Sequence, residues 1–284
     1  EQKYYDTELL HKSPPIYDGY ITGSDQVWNP RNNNCDSSYF LTFAPDGKRR
    51  ISYAASFGVA EIKHGVKKKY AEWLKKINHI SVREFEGVRI VKKLIGTNAE
   101  LVLDPTLLLD RDHWDQIAIP YKKADPYILC YYMPGDRLVN RSITRIAKNV
   151  AGMYGWKVIN IGEKEYMRLN PFRRSIFTAG PAEFLGFFHN ASFVITNSYH
   201  GTAFAITYRI PFLVPINQNL PPQKALSSRI TSLLKALELD QRIIRLKECI
   251  PEKIDIEIDY APIEEKIESY RKRSSNFISE ALRN

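Results

Sequence analysis

The chain has 284 residues, 44% of them hydrophobic and 26% charged, with a formal net charge of +9; this is an ordinary globular composition, long enough for two domains. No apolar run approaches the ~18–20 residues that span a bilayer. The three cysteines, Cys35, Cys130 and Cys249, are too sparse for a disulfide scaffold or a structural zinc site. The basic charge suits anionic partners, but it lies in short clusters such as Lys67-Lys68-Lys69 and Arg271-Lys272-Arg273. No helix-turn-helix, zinc-finger or aromatic RNA-binding pattern accompanies them, so nucleic acid is not an expected partner.

The chain opens at Glu1 without an initiating Met or a signal-peptide pattern, and an N-terminal piece is expected to precede it. Residues 1–16, with Ser13-Pro14-Pro15, read as a linker. Tyr17–Ile21 reads as a strand that ends in Thr22-Gly23-Ser24-Asp25-Gln26-Val27-Trp28. Gly23 lets the backbone turn and approach a ligand closely, and Ser24, Asp25 and Gln26 supply polar groups just past the strand. The plain alternative is that Ser24 or Asp25 caps a turn. Arg50–Ala55 is a strand, and Val66, Tyr70, Trp73, Leu74 and Ile77 recur at helical spacing.

Ile80–Arg83 is a further strand leading into a helix over 84–94. Arg83 stands at that junction, where a guanidinium could fork onto a carboxylate or phosphate; otherwise it makes a surface pair with Glu84 or Glu86. Leu101–Leu103 ends in Asp104-Pro105-Thr106, and Asp110-Arg111-Asp112 opens a helix. That Asp-x-Asp pair could hold a metal-bound diphosphate, but acids at a helix start are expected as caps.

Residues 119–126, with two prolines, read as an interdomain linker, after which the pattern restarts. Tyr127–Met133 is a strand, and an amphipathic helix runs through Ile143 and Tyr154. Trp156–Ile161 is a strand with Gly162-Glu163-Lys164 as its loop. Ser175–Thr178 is a short strand, and Pro181 opens a helix. Ala191–Ile216 then forms a compact β-turn-α-turn-β unit: a buried strand at Phe193–Ile195, a turn through Gly201, a helix over Thr202–Tyr208 and a strand over Pro211–Ile216. His200 and Gly201 fall at the helix N-terminus beyond a strand end, where free amides suit a phosphate or carboxylate. Leu226 to Leu237 gives another helix, Cys249–Tyr260 an extended segment, and Pro262 begins a long terminal helix.

Four of these stretches together resemble the polysaccharide pyruvyl transferase family: Asp18–Asn29, Ile80–Glu84, Leu103–Thr106 and Thr196–Phe204, in matching order from about Tyr17 to Ile216. The resemblance implies an α/β, GT-B-like fold of two Rossmann-type domains with parallel sheets facing a cleft. The domains are expected at 1–120, lacking the family's first strand and glycine loop, and at 121–260, the donor-binding half. A helix over 261–284 would return to the first domain.

The implied activity is metal-independent transfer of pyruvate from phosphoenolpyruvate, as co-substrate without further cofactor, to a hydroxyl pair of an exopolysaccharide or cell-wall glycan precursor. His200 and Asp25 are the implied catalytic pair. Arg83, Ser198, Tyr199, His200, Gly201 and Thr202 are the implied donor-binding set, while Gly23, Ser24, Asp25, Gln26, Trp28 and Asp104 would line the acceptor side. Many members of the family carry Arg-Leu-His where this chain has Ser198-Tyr199-His200, the variant of a broad branch, which removes one cation from the donor side. A nucleotide-sugar glycosyltransferase and a non-catalytic carbohydrate-binding module are the competing readings. The expected location is cytoplasmic, at the inner membrane face, where an anionic lipid-linked sugar acceptor would meet the basic surface.

Overall fold

The computed structural model describes the chain outside residues 1–2, 5, 122–124, 163–173, 177, 222–226, 247–253, 255 and 284. The chain divides into two compact units, one of residues 1–108, 220–233 and 267–284, the other of 109–219 and 234–266. The break falls at Leu108, ahead of the proline-bearing stretch at 119–126, and the first unit takes in two later segments.

The first unit holds a parallel sheet in the order β1 (Gly19–Thr22), β2 (Arg49–Ala55), β3 (His79–Val82), β4 (Glu100–Leu101). Helices α2 (His64–Leu74) and α3 (Phe85–Ile95) cross over between consecutive strands. Trp28, Phe40, Phe57, Tyr70, Leu74, Val82 and Val91 form its core, each large apolar side chain contributing about 1.5–3 kcal/mol on burial. Within β2 the register shifts between Ser52 and Ala55, and Ala54 lies in the left-handed region at φ 51°. Two buried hydroxyls fill the interrupted ladder: Ser52 Oγ donates to Ser81 O at 3.0 Å, while Ser81 Oγ donates to Ser52 O at 2.7 Å and accepts from Ala54 N at 3.1 Å. A serine in mid-strand thus satisfies backbone groups that would otherwise be buried without partners.

A short helix, α1 (Thr7–Lys12), occupies the stretch expected to be a linker. It is capped by Asp6, whose carboxylate accepts from Leu9 N at 2.7 Å, and it buries no residue, so it leaves no apolar signature in the sequence. The end of the terminal helix belongs to the first unit: Ser274 Oγ accepts from Leu103 N at 2.9 Å, and Arg271 Nε donates to Leu107 O at 2.8 Å.

The second unit holds a six-stranded parallel sheet in the order β10-β9-β8-β5-β6-β7. Its strands are β5 (Tyr127–Tyr131), β6 (Lys157–Ile161), β7 (Arg174–Ile176), β8 (Phe193–Thr196), β9 (Phe212–Ile216) and β10 (Ile243–Arg245). Its helices are α4 (Arg111–Asp115), α5 (Arg137–Tyr154), α6 (Pro181–His189) and α7 (Tyr199–Thr207). Two more, α8 (Ser228–Ala236) and α9 (Ala261–Arg283), have residues in both units. The continuous apolar runs of β5, β8 and β9 suit strands covered on both faces, and Ile143, Ile146, Ala147 and Val150 of α5 pack on them.

The Asp110-Arg111-Asp112 pair resolves as a cap, with Asp110 Oδ1 accepting from His113 N at 3.0 Å. Leu226, Cys249 and the Glu163-Lys164 loop lie outside the described residues. Beyond them, Ile256–Tyr260 has no strand pairing, and β10 is the sheet member contributed by this part of the chain.

Candidate functional site

In the first unit the loops after all four strands converge, as parallel α/β sheets direct them. After β1, Gly23 adopts φ 109°, and a Cβ there would stand 2.2 Å from Tyr53 O; only glycine fits. The chain then presents Ser24 and Asp25, the latter at φ 61°. After β3 comes Arg83, whose side chain is wholly buried. Its Nη1 donates to Asp104 Oδ2 at 2.6 Å, and its Nη2 to Asp25 Oδ1 at 2.5 Å. Asp104, after β4, is fully committed: Oδ1 accepts from Thr106 N and Oγ1 at 3.1 and 2.8 Å, and Oδ2 also accepts from Ser24 Oγ at 2.5 Å. The alternative of a surface pair between Arg83 and Glu84 or Glu86 therefore does not hold.

The same cluster contains residues that the sequence did not single out. Glu84 is fully buried, and its Oε1 accepts from Ser56 Oγ and Phe57 N, both at 2.9 Å, in the loop after β2. Burial pushes its carboxyl above the ordinary range, against the opposing pull of the Arg83 and Arg229 charges. Its Oε2 makes no hydrogen bond among the described residues.

Arg229, in the first turn of α8, brings a second guanidinium. Its side chain is 12% exposed, and Nη1 lies 3.9 Å from Asp25 Oδ1, the atom that Arg83 holds. With its amide oxygen turned toward this group, Gln26 accepts from Arg229 Nη1 and Nη2 at 3.2 and 3.3 Å. Ser232, one helical turn on, accepts from Phe85 N at 2.8 Å through its hydroxyl, which fastens α8 to the start of α3. An arginine beside the apolar positions Ile230 and Leu233 reads in sequence as a solvated helix face, and no local pattern marks it otherwise.

Trp28 is not on a cleft wall. It is completely buried, stacked on Phe40 at 5.3 Å and tilted against Phe57 at 5.2 Å. The size and apolarity of its indole place it in the core, and its N–H donates to Tyr39 O at 3.0 Å.

The donor-side residues gather in the second unit at the β8–α7 junction. Ser198 is the N-cap of α7, its Oγ accepting from Gly201 N at 3.2 Å, and Thr202 Oγ1 donates to Ser198 O at 2.9 Å. Both hydroxyls are thus occupied in the helix start. Tyr199 is buried, while His200 is half-buried, its ring edge-on to Tyr199 at 5.6 Å. Gly201 is dictated by packing, since a Cβ would lie 2.6 Å from Thr196 Oγ1. Neighbouring strand ends are joined by Asn197, which accepts from Met133 N at 2.8 Å and donates to Asn140 Oδ1 at 3.1 Å. Of the residues singled out in the sequence, Gly23, Ser24, Asp25, Gln26, Arg83 and Asp104 form the first unit's cluster. Ser198 to Thr202 form the second unit's.

Among the described residues no group of three or more His, Cys, Asp or Glu side chains is gathered to hold a metal ion. No helix among them is long and apolar enough to cross a membrane.

The model of a family described as polysaccharide pyruvyl transferase matches residues 1–218. No curated protein sequence matches the chain. Among solved structures, the chain resembles one described as a UDP-N-acetylglucosamine 2-epimerase from Listeria monocytogenes, with 9% identity, TM-score 0.50, and coverage of 81% of this chain and 61% of that one. It also resembles S. aureus MnaA solved with UDP (10%, 0.49, 84% and 63%) and the UDP-GlcNAc 2-epimerase of Methanocaldococcus jannaschii (12%, 0.48, 93% and 71%). The first of these likenesses supports the GT-B-like α/β class. The chain spans about six-tenths of the length of the Listeria structure.

Proposed function

Because the chain belongs to the polysaccharide pyruvyl transferase family, a family of transferases, we propose that it moves the pyruvyl group of phosphoenolpyruvate onto two hydroxyls of a glycan, forming a ketal and releasing phosphate. The observation that carries this reading is the wholly buried Arg83 guanidinium, held at the carboxyl ends of the first unit's strands by Asp104 and Asp25. Such a fork suits a small anion with planar or tetrahedral oxygens. The half-buried His200 at the start of α7 supplies a titratable donor beside helix amides, which favours phosphate.

The chemistry asks little beyond these groups. The methylene carbon of the enol takes a proton, leaving a cationic centre at the carbon that bears the phosphate ester. One glycan hydroxyl adds there and gives up its proton. Phosphate departs with the C–O bonding pair, and the second hydroxyl adds and loses its proton in turn. The family resemblance gives His200, in the second unit, the roles of acid and phosphate ligand, and gives Asp25 and Arg83, in the first unit, those of hydroxyl base and counter-charge. The scheme calls on no metal.

The acceptor is a sugar of a polysaccharide or its lipid-linked precursor, and the basic surface suits an anionic carrier. Release of phosphate from phosphoenolpyruvate on addition of a glycan, abolished in His200→Ala, is the expected result. No turnover with phosphoenolpyruvate, alongside consumption of a nucleotide sugar, overturns it in favour of a glycosyltransferase.

A further inference from the structure

Two guanidinium groups in the first unit address one carboxylate oxygen, and that carboxylate is the exposed member of the cluster. Arg83 is wholly buried and Arg229 nearly so, whereas the Asp25 side chain is 60% exposed. Their other partners differ in kind. Asp104 is buried and has hydrogen bonds on both oxygens, so it remains Arg83's permanent counter-ion. Gln26 offers Arg229 a neutral acceptor. Removing Asp25 would take away the one carboxylate oxygen that both guanidinium groups address.

We propose that Arg83 and Arg229 together form a carboxylate-binding subsite that Asp25 fills as an internal stand-in, and that the carboxylate end of the donor displaces it. The ligand class follows from the occupant, since a carboxylate oxygen already sits at 2.5 Å from one guanidinium and 3.9 Å from the other. On release the Asp25 carboxylate regains water on its exposed side, and an incoming carboxylate restores the counter-charge beside two arginines already ordered. The departing Asp25 stays on its exposed loop as an ionised group able to accept a hydroxyl proton, which links donor binding to activation of the acceptor. That the displacing carboxylate is the donor's, and this last consequence, rest on the pyruvyl-transfer reading; the two-arginine carboxylate subsite does not.

The test is equilibrium binding by calorimetry, with the full chain and no acceptor present, using pyruvate, inorganic phosphate and phosphoenolpyruvate as probes. Asp25→Asn, which keeps the shape and removes the competing charge, should bind pyruvate and phosphoenolpyruvate about tenfold more tightly. Adding Arg229→Gln should erase that gain. Arg229→Gln alone, which leaves the Asp104–Arg83–Asp25 chain in place, should weaken both ligands about tenfold, and it decides the question should Asp25→Asn fail to fold. Unchanged or weaker binding in a folded Asp25→Asn protein overturns the proposal, as does unchanged binding in Arg229→Gln. A gain confined to inorganic phosphate overturns the carboxylate assignment. Since no turnover is measured, the outcome is separable from failure of the pyruvyl-transfer reading.

Discussion

Arg83 and Asp104 meet at 2.6 Å with 0% and 2% of their side chains exposed, so the central ion pair of the first unit is shielded from water on both sides. Breaking a buried pair from one side leaves an uncompensated charge. Asp104→Asn is expected to destabilise the chain by about 3–5 kcal/mol, read as a lower midpoint in chemical denaturation. A loss below about 1 kcal/mol, the level of an exposed pair, would mean that the site is wet.

Backbone fit gives a second expectation. Gly23→Ala must place a methyl 2.2 Å from Tyr53 O at a φ of 109°, and a cost of several kcal/mol should follow, on the order of other overpacked or strained positions. Gly152→Ala, in α5 with nothing near its Cβ, should instead stabilise by about 0.5–1 kcal/mol. Equal effects of the two changes would contradict the close approach of the Gly23 loop to β2.

The neighbours Ser198 and His200 should separate stability from activity. Ser198→Ala removes the cap of α7 and costs about 1 kcal/mol, with the catalytic rate little altered. His200→Ala should leave the melting temperature close to that of the unmodified chain while lowering phosphate release at least about 10²-fold. If the two variants exchange these phenotypes, the roles drawn from the cap geometry are wrong.

Glu84 provides a pH signature. Its carboxyl is raised by burial in the fold above the ordinary value of 4.5, so the folded chain holds this proton more tightly than the unfolded one. The resulting stabilisation is complete below pH 4.5 and is lost as pH climbs through the folded pKa, with a slope of at most about 1.4 kcal/mol per pH unit. Glu84→Gln keeps the oxygen that accepts from Ser56 and Phe57 and cannot ionise. Its stability relative to the unmodified chain should therefore improve steadily above pH 4.5. A difference independent of pH would show that the carboxyl titrates alike in both states.

How far the sequence foretells this arrangement varies with the kind of signal. Apolar β-branched runs such as Phe193-Val194-Ile195 mark buried strands directly, and the amphipathic spacing in α5 marks its inner face, because burial and periodicity are properties of the residues themselves. The α7 start is three residues earlier than the sequence suggests. Gly201 looks like a turn residue by propensity, whereas it is the close contact with Thr196 that requires it.

Gly23, Asp25, Arg83 and Asp104 are legible because each follows a strand and carries distinctive chemistry. Glu84 reads as a surface partner, since nothing in a linear sequence reveals that a carboxylate will be enclosed. Arg229 is invisible for a different reason. Its place beside Asp25 depends on a segment more than 200 positions away joining the first unit, and helix periodicity carries no information about such a return. Trp28, sharing a motif with Asp25, shows the converse: a resemblance transfers a whole stretch, while packing sorts its members into core and site.

The bond from Leu103 N to Ser274 Oγ has a consequence for how the molecule is made. Synthesis proceeds from the N-terminus, and domains ordinarily fold as they emerge. Here the loop that ends in Asp104 is steadied by a hydroxyl translated 171 residues later, and Arg229 is likewise late. The first unit can therefore complete its fold only after α9 has been made. The second unit, most of it contiguous in sequence, can be finished sooner. A chain ending before Ile267 has all of the second unit and lacks the 267–284 segment of the first, and should accordingly leave the first unit the more readily cleaved by protease.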